Sequence, residues 1–371
     1  MSPYLIIFLA SACLGNSVLA TPSATTAPHV REDQWHLRFL NAAAAHAISE
    51  GEGVTVAVPD TGIDPHPDLR GNLLAGTDLS NKGDGRQDRD GHGTSMAGLI
   101  AAHGQPNSSG ALGVAPRAKL LPVRTQLING RGSADDLAAS VEWAVANHAD
   151  VINISAVAGA TSRLQGAIRS ALEAEIVVVA AVGNQPEDPT VGYPASEPGV
   201  IGVGGIDGNG RHASISAIGP EIDVVAPAVD IYSTSYGGKY SKGTGTSSAT
   251  AIVAGAAALI RSKYPNLPAA EVAHRLTATA VDKGPPGRDD QYGYGVIDLV
   301  AALTADVPPL GFESSNVTPP ASVEAVPDKG GDGSGTARGL ATLGVLVTAV
   351  GGYLFWRRRR RADDPPPRVS R

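Results

Sequence analysis

The sequence predicts a doubly wound α/β domain, with a mostly parallel β-sheet and helices on both faces. Runs rich in Val and Ile recur without alternation of apolar and polar residues, as in strands buried on both faces. Helix-like stretches lie between these runs. Alternation of strands and helices is typical of a sheet whose parallel strands are connected by helices. The 45 glycines and the low aromatic content of 4% suit helices packed closely on a sheet. The strand-like runs are residues 54–58, 120–123, 151–154, 176–182 and 200–203.

The helix-like stretches between the strands include residues 135–147 and 162–174. Together with the strands they predict one domain over residues 21–304. Its first part, residues 29–51, is an N-terminal extension that looks too short for a folding propeptide. We therefore expect the extension to remain on the chain and pack against the domain.

The first twenty residues are typical of an export signal. Residues 4–14 are apolar but too short to span a bilayer. Small residues then precede Ala20, where a signal peptidase would cut. The only cysteine, Cys13, lies in this segment, so the mature protein has no internal disulfide and no Cys-based zinc site. Residues 1–20 are thus predicted to be a signal peptide.

The C-terminal part has the composition of a tether, an anchor and a tail. Residues 305–338 are rich in Pro and Gly and cannot bury enough apolar surface to fold, so they predict a linker. Residues 339–356 carry no charge and end in Trp356, as a transmembrane helix does at the interface. Residues 357–371 begin with five arginines, which would hold the tail in the cytoplasm. These features predict a single-pass protein of the cell membrane whose domain lies outside.

Charge and spacing exclude several classes of ligand. The net charge of −7 disfavours nucleic-acid binding, which needs a basic surface. The histidines show no metal-ligand spacing, so no metal site is predicted and each is expected to be exposed or hydrogen-bonded. Calcium binding by the acidic loop of Asp84, Asp88 and Asp90 is an open alternative to a solvated loop. Asp64 and Asp68 are expected to form turns beside their neighbouring prolines.

Three motifs bring together an acid, a base and a nucleophile. Asp60 begins Asp-Thr-Gly directly after the first strand, where α/β sheets place their catalytic groups. His92 lies in Gly-His-Gly-Thr ahead of a predicted helix, and Ser247 lies in Gly-Thr-Ser at the start of another. Glycines flank all three motifs, and we expect them to let a substrate backbone approach.

These residue types suit nucleophilic catalysis. A serine hydroxyl needs a base to accept its proton, histidine titrates near neutrality, and a carboxylate orients the imidazole. We therefore predict Ser247 as nucleophile, His92 as base and Asp60 as its partner. Asn184 follows the strand of residues 176–182, and its amide is predicted to donate to an oxyanion together with the N–H of Ser247.

Two further serines need a role. Ser155 follows the strand of residues 151–154 and is predicted to lie by the substrate-binding cleft, the alternative being a strand-end hydroxyl. Ser95 lies in Gly-Thr-Ser-Met-Ala, which imitates a nucleophile motif. It shares a short segment with His92, so we expect it to pack on the histidine helix.

The order Asp-Thr-Gly, His-Gly-Thr, Gly-Asn and Gly-Thr-Ser resembles the subtilisin-like serine proteases over residues 54–299. Subtilisin itself is the known example of such a triad with an asparagine in its oxyanion hole. Residues 151–158, 261–265, 275–280 and 292–298, with the signal peptide, linker and anchor, are similar to the mycosins, membrane-anchored subtilases of type VII secretion systems. The resemblance implies a serine endopeptidase acting on protein or peptide substrates beside that machinery.

The resemblance leaves two function classes open. One is an active membrane-anchored endopeptidase. The other is a structural subunit of a secretion membrane complex that retains the protease fold. The intact set of Asp60, His92, Ser247 and Asn184 favours the enzyme.

Overall fold

The computed structural model describes residues 30–106, 109–125, 127–128 and 131–311. The predicted signal peptide, transmembrane helix and cytoplasmic tail lie outside these ranges, as do residues 312–338 of the predicted linker. Within the described ranges, no helix is long and apolar enough to cross a membrane.

A seven-stranded sheet forms the centre of the described domain, and all its neighbouring strands pair in parallel. Its order is β11-β10-β9-β8-β1-β5-β2. Shorter antiparallel pairs are β3 with β4, β6 with β7 and β12 with β13. The strands are β1 Thr55–Asp60, β2 Thr77–Asp78, β3 His103–Gln105, β4 Ser109–Leu112, β5 Lys119–Arg124, β6 Leu127–Ile128, β7 Arg131–Gly132, β8 Val151–Ile154, β9 Val177–Ala181, β10 Ile201–Ile206, β11 Val224–Pro227, β12 Ile231–Ser235 and β13 Lys239–Gly243.

The five predicted strands correspond to β1, β5, β8, β9 and β10. Every residue of β8, β9 and β10 is buried, which confirms that both faces of the sheet are covered. The sequence patterns missed the edge strands β2 and β11, because one has two residues and the other is preceded by polar turns. The predicted parallel α/β sheet is therefore confirmed.

Helices cover the two faces as packed pairs. α5 packs on α6, α4 packs on α7, and the two pairs contact the same central strands. Side-chain caps begin three of the helices: Ser133 for α5, Thr161 for α6 and Asp298 for α9. The helices are α1 Val30–Asp33, α2 Trp35–Phe39, α3 Ala42–His46, α4 His92–Ala101, α5 Ala134–Ala146, α6 Ser162–Glu173, α7 Thr246–Lys263, α8 Ala269–Ala278 and α9 Leu299–Thr304.

The helix α7 runs through the core and determines where its first turn lies. It packs on β8, β9, β10 and β11, and its side chains from Ser248 to Ile260 are all buried. Small residues allow this close approach: a Cβ at Gly255 would lie 2.7 Å from the Cβ of Val114. The position of the N-terminal end of α7 is therefore fixed by packing along its length.

The N-terminal extension packs on the domain, as expected. Val30 and Leu37 are buried in the common core. The amide of Gln34 donates to Leu112 O at 3.0 Å and to Tyr232 O at 3.3 Å, and its oxygen accepts from Leu112 N. These bonds join the extension to β4 and β12. Whether any part is removed in the mature protein stays a prediction.

His36 departs from the expectation that every histidine is exposed or hydrogen-bonded. Its side chain is fully buried in the extension, and neither ring nitrogen has a hydrogen-bond partner among the described residues. Burial, with a smaller contribution from Arg38, lowers the pKa of His36 to about 3. The imidazole is therefore neutral and acts as a core side chain.

Asp68 lies in the turn that follows Pro67, as predicted, but it also has a role in the core. Its carboxylate is fully buried and accepts hydrogen bonds from Gln105 Nε2 at 2.7 Å, Ala111 N at 2.7 Å and Tyr240 Oη at 3.0 Å. Asp68 thereby joins the strands β3, β4 and β13. Asp64 reaches outward instead, since its Oδ2 accepts from Gly237 N at 2.8 Å.

Candidate active site

The three residues predicted to share a site come from three separate elements. Asp60 is the last residue of β1, His92 is the first residue of α4, and Ser247 is the second residue of α7. Carboxyl ends of parallel strands meet at one edge of a sheet, and α4 and α7 pack together with their first turns at this edge. The fold thus brings together residues that are 187 positions apart in the chain.

His92 and Asp60 form a close pair. The Nδ1 of His92 lies 2.8 Å from Asp60 Oδ1 and 3.0 Å from Oδ2. Asp60 is fully buried, whereas the His92 side chain is 28% exposed. Since a carboxylate only accepts hydrogen bonds, Nδ1 carries a proton, and in the neutral imidazole Nε2 is the acceptor.

The electrostatic field around His92 stabilises its charged form. Burial lowers the pKa of His92, but the carboxylates of Asp60, Asp90 and Asp88 outweigh it and raise the pKa from 6.5 to about 9. Among these, Asp60 acts both through its charge and through its hydrogen bond. The site is therefore built to hold an imidazolium ion.

The hydroxyl of Ser247 is turned toward the strand β8. Its Oγ donates to Ser155 O at 3.1 Å, and Ser155 Oγ donates to Ser247 O at 3.2 Å. Both residues and His92 are described, and no hydrogen bond joins Ser247 to His92 in this structure. Catalytic hydrogen bonds are often formed only when substrate is bound. A turn of the Ser247 side chain about one bond would redirect its hydroxyl.

Ser155 supports the backbone around Ser247. It is 1% exposed, and its Oγ also accepts from Asn153 Nδ2 at 3.0 Å. The buried chain from Asn153 through Ser155 to Ser247 fixes the first turn of α7 against β8. The predicted role of Ser155 in substrate binding stays a prediction.

Asn184 is oriented by the residue that precedes Ser247. Its Oδ1 accepts from Thr246 N at 2.9 Å and Thr246 Oγ1 at 3.2 Å. Because a backbone N–H is only a donor, the atom facing it must be the amide oxygen. The Nδ2 group of Asn184 is then the donor that remains for the cleft. Nothing in the local sequence pointed to Thr246 as the orienting residue.

A cleft of about 440 Å³ connects these residues. Its lining includes His92, Asn184 and Ser247, and β12 and β13 form one of its walls through Ser235 and Ser241. The complete described lining is Thr61, Asp90, Gly91, His92, Ser95, Met96, Asn184, Ser235, Ser241, Gly243, Thr244, Gly245, Ser247 and Ser248.

In the loop before His92, the carboxylate of Asp88 holds neighbouring backbone and hydroxyl groups in place. Asp88 Oδ1 accepts from Thr61 Oγ1, Asp90 N and Gly91 N. Its Oδ2 accepts from both the N–H and the hydroxyl of Thr94. The sequence analysis missed this organising role, although the spacing of Asp88 from Thr94 across Gly-His-Gly was a signal for it.

The hydrogen bonds and ion pairs of the aspartates in this loop show whether their oxygens are arranged as calcium ligands. The oxygens of Asp88 are occupied by N–H and O–H donors, and Asp84 pairs with Arg86 at 2.6 Å. Within the described ranges, no group of three or more His, Cys, Asp and Glu side chains is placed to hold a metal ion. These contacts do not have the form of a ligand set, and calcium binding by this loop stays an untested alternative.

Two of the flanking glycines serve packing. A Cβ at Gly93 would lie 2.1 Å from Gly62 O, and a Cβ at Gly62 would lie 2.1 Å from Gln87 O. Gly62 also has φ of +105°, which side chains disfavour. We expected these glycines to admit substrate backbone; instead they let the Asp60 loop contact the helix of His92.

Ser95 lies on α4, one turn after His92. Its carbonyl accepts from Ser233 Oγ at 2.7 Å, so this turn of α4 is attached to β12. Ser95 also lines the cleft. The predicted packing role of the Ser95 side chain stays a prediction.

The comparisons with known proteins agree in family. Residues 51–295 match the family model of the subtilases, Peptidase S8. A thermostable alkaline protease of Halalkalibacterium halodurans is 41% identical over 265 residues, 71% of this chain and 71% of that protein. Subtilisin DY of Bacillus licheniformis is 41% identical over 259 residues, 68% of this chain and 92% of that protein.

Solved structures show a narrower similarity. A crystal structure of MycP1 without its N-terminal propeptide aligns with a TM-score of 0.67 at 32% identity, covering 74% of this chain and 98% of that chain. MycP3 protease from the type VII (ESX-3) secretion system aligns with a TM-score of 0.65 at 37% identity, covering 73% and 88%. MycP1 from Mycobacterium smegmatis aligns with a TM-score of 0.67 at 30% identity, covering 78% and 88%.

Proposed function

The chain belongs to the subtilase family and is a serine endopeptidase related to the mycosins, and from this premise we propose that Ser247, His92 and Asp60 are its catalytic triad. The observation that carries this assignment is the Asp60–His92 pair, 2.8 Å apart, whose histidine lines the same cleft as Ser247. The substrate is a protein or peptide chain laid along this cleft.

In the first step, the Ser247 hydroxyl leaves Ser155 O and turns toward Nε2 of His92. Its proton passes to Nε2 as Oγ attacks the carbonyl carbon of the scissile peptide. Asp60 holds the proton on Nδ1 and stabilises the imidazolium that results. The imidazolium then protonates the leaving amine, and the C–N bond breaks to give an acyl-enzyme. Water attacks this ester in the second half, with His92 again acting as base.

The negative charge of the tetrahedral intermediate needs donors beside Ser247. We assign Nδ2 of Asn184 and the backbone N–H of Ser247 to this role. The N–H belongs to the first turn of α7, whose N–H groups have no partner inside the helix. Thr246 supports the assignment, because its N–H binds the amide oxygen of Asn184 and leaves Nδ2 as the donor.

The triad is tested with the purified protein by labelling with a serine-directed fluorophosphonate and by peptide hydrolysis. The wild type is expected to be labelled and to cleave peptide. Ser247→Ala should lose both, while Ser95→Ala, in the look-alike motif, should keep labelling. Labelling of Ser247→Ala at the wild-type level would overturn the assignment.

We also propose that the protease domain is held outside the cell membrane by the residues after 338 and acts with a type VII secretion system. The uncharged segment of residues 339–356 followed by five arginines supports the anchor. One of the similar structures is described as an essential component of the type VII (ESX-1) secretion system, which supports the partner. Deleting residues 339–371 should release the domain into the medium; its persistence in membranes would contradict the anchor.

The role as a structural subunit is separable from the protease role. Secretion by cells that carry Ser247→Ala is compared with secretion by cells that lack the chain. Secretion by the Ser247→Ala cells, together with loss of secretion in cells that lack the chain, would demonstrate a structural role. Equal loss in both would leave proteolysis as the function.

A further inference from the structure

The cleft beside Ser247 and His92 is almost uncharged along the residues that the structure describes. Among them, Asp90 is the only acidic residue that lines it, and no lysine or arginine does so. The other described lining residues are neutral apart from His92, and most are Ser, Thr or Gly. A single carboxylate in such a cleft is a strong local charge, because no lining residue other than His92 offsets it.

The hydrogen bonds of Asp90 leave one of its oxygens available. Its Oδ1 accepts from His92 N at 3.2 Å, which fixes the side chain at the start of α4. Its Oδ2 has no hydrogen-bond partner among the described residues, and the side chain is exposed. The other two aspartates of the loop differ, because Asp84 pairs with Arg86 and Asp88 is held by five donors.

The strand β13, in the wall of the cleft, carries two lysines, and each interacts with a residue outside the cleft lining. Lys242 of β13 pairs with Asp230 at 3.3 Å, and Lys239 lies over the ring of Tyr236 at 5.7 Å. Neither lysine lines the cleft. A cation supplied by a bound peptide would therefore meet the free oxygen of Asp90 without displacing an existing ion pair.

We propose that Asp90 is a specificity-determining residue that selects a lysine or arginine side chain of the substrate close to the scissile bond. This proposal rests on the proposed endopeptidase function and adds the substrate class. The substrate cation donates to Oδ2 of Asp90, while Oδ1 keeps its bond to the N–H of His92. Binding of the substrate partly shields this exposed pair from water, so it contributes more than a surface pair does.

The contact between the substrate cation and Asp90 also changes the pKa of His92, the proposed base. The acidic groups that raise the pKa of His92 are Asp60, Asp90 and Asp88, and a substrate cation on Asp90 offsets one of them. The pKa of His92 should therefore be lower in the complex with a basic peptide than in the complex with a neutral one. A basic substrate would then favour the form of His92 that can accept the serine proton.

The test uses internally quenched peptides of one sequence in which a single Lys or Gln is moved through the positions on both sides of the scissile bond. For the wild type, kcat/KM is expected to be about fivefold higher with Lys at one of these positions. Asp90→Asn keeps an oxygen for His92 N but loses the charge, and it should remove the preference. Asp84→Asn has the same charge change outside the cleft and should retain it.

The pH dependence of kcat gives a second readout. With the wild type, the acidic limb of kcat should lie at lower pH for the Lys peptide than for the Gln peptide, since kcat reports the enzyme–substrate complex. The limb of kcat/KM should coincide for the two peptides, since it reports the free enzyme. In Asp90→Asn the difference in kcat should vanish.

Several outcomes would overturn the assignment of Asp90. These are the absence of a Lys preference at every position, a preference that survives Asp90→Asn, or equal kcat limbs for both peptides. Cleavage of the Gln peptide by the wild type shows in the same experiment that the protease is active. Failure of this proposal is thereby distinguished from failure of the proposed function.

Discussion

Two buried aspartates of this domain lie beside histidines and have opposite uses. Asp60 faces Nδ1 of His92 at 2.8 Å. Asp68 lies 3.9 Å from Nδ1 of His66 through its Oδ2, but that nitrogen accepts a hydrogen bond from the backbone N–H of Asp68 at 3.1 Å. The first pair can hold a proton between ring and carboxylate, and the second cannot.

Exposure and the other hydrogen bonds explain the difference. The carboxylate of Asp68 is occupied by Gln105, Ala111 and Tyr240, and His66 is fully buried. Burial lowers the pKa of His66 despite the nearby charge of Asp68, whereas the pKa of His92 is raised to about 9. An aspartate–histidine pair is suited to catalysis when the imidazole keeps one nitrogen open to a cleft and donates from the other to the carboxylate.

The largest expected effect is that of Asp60→Asn. The amide cannot hold the catalytic tautomer of His92, so kcat should fall by about 10⁴-fold, the scale known for this change in serine proteases. The free energy of unfolding should change by less than about 1 kcal/mol, because the amide oxygen of the variant side chain can still accept from Thr61 N. Steady-state kinetics and chemical denaturation measure the two quantities. A loss of stability large enough to account for the lost activity would place Asp60 in the structural class with Asp68.

Asn184→Leu should have the next largest effect. Removal of one oxyanion donor lowers kcat by about 10² to 10³-fold in such sites, with little change in KM. Thr246→Val is the control, since it keeps the N–H that holds Asn184 Oδ1 but removes the hydroxyl. The control should retain kcat within about tenfold. An equal loss in both variants would show that Asn184 acts by packing.

The pH dependence of activity should report on His92, and the pH dependence of stability should report on His66. His92 must be neutral to act as base, so kcat/KM on a neutral peptide should rise about tenfold per pH unit from pH 7 toward its pKa of about 9. His66 has a lowered pKa in the folded state, so the unfolded state binds its proton more readily. Its contribution to stability is therefore present above about pH 6.5 and is lost as the pH falls below that value.

The two effects are followed by kinetics and by denaturation across pH 5 to 9. The activity limb is expected to lie above the pH at which stability declines. Coincidence of the two profiles would mean that unfolding, and not the state of His92, limits activity at low pH.

The smallest expected effect is the loss of stability in Asp68→Asn. An amide at this position replaces an acceptor with a donor that faces other donors, so the free energy of unfolding should fall by about 2 kcal/mol. Tyr240→Phe removes one of the three hydrogen bonds and should cost about 1 kcal/mol. The folded fraction of both variants should keep the wild-type kcat. A selective loss of kcat in Asp68→Asn would show that this cluster belongs to the active site.

Much of the fold followed from local patterns. Runs of Val and Ile without alternation predicted five strands of the sheet, and the motifs around Asp60, His92 and Ser247 predicted that three distant residues would meet. The edge strand β2 was missed because two residues give no periodic signal, and β11 was missed because polar turns precede it. Asp68 was placed correctly in a turn, but its burial and that of His36 were not foreseen, because polar residues in short segments look like surface residues until their burial is known.

The sequence by itself determined the chemistry: which groups are available, that Asp60 and Ser247 lie at the ends of buried elements, and the family to which they point. Only the tertiary structure decided which partners these groups have. The hydroxyl of Ser247 bonds to Ser155, 92 residues away, and Asp68 bonds to Tyr240, 172 residues away. Hydrogen bonds over such separations depend on packing of the whole core. Asp60 therefore faces an imidazole that is open to the cleft, whereas Asp68 joins three strands through its hydrogen bonds.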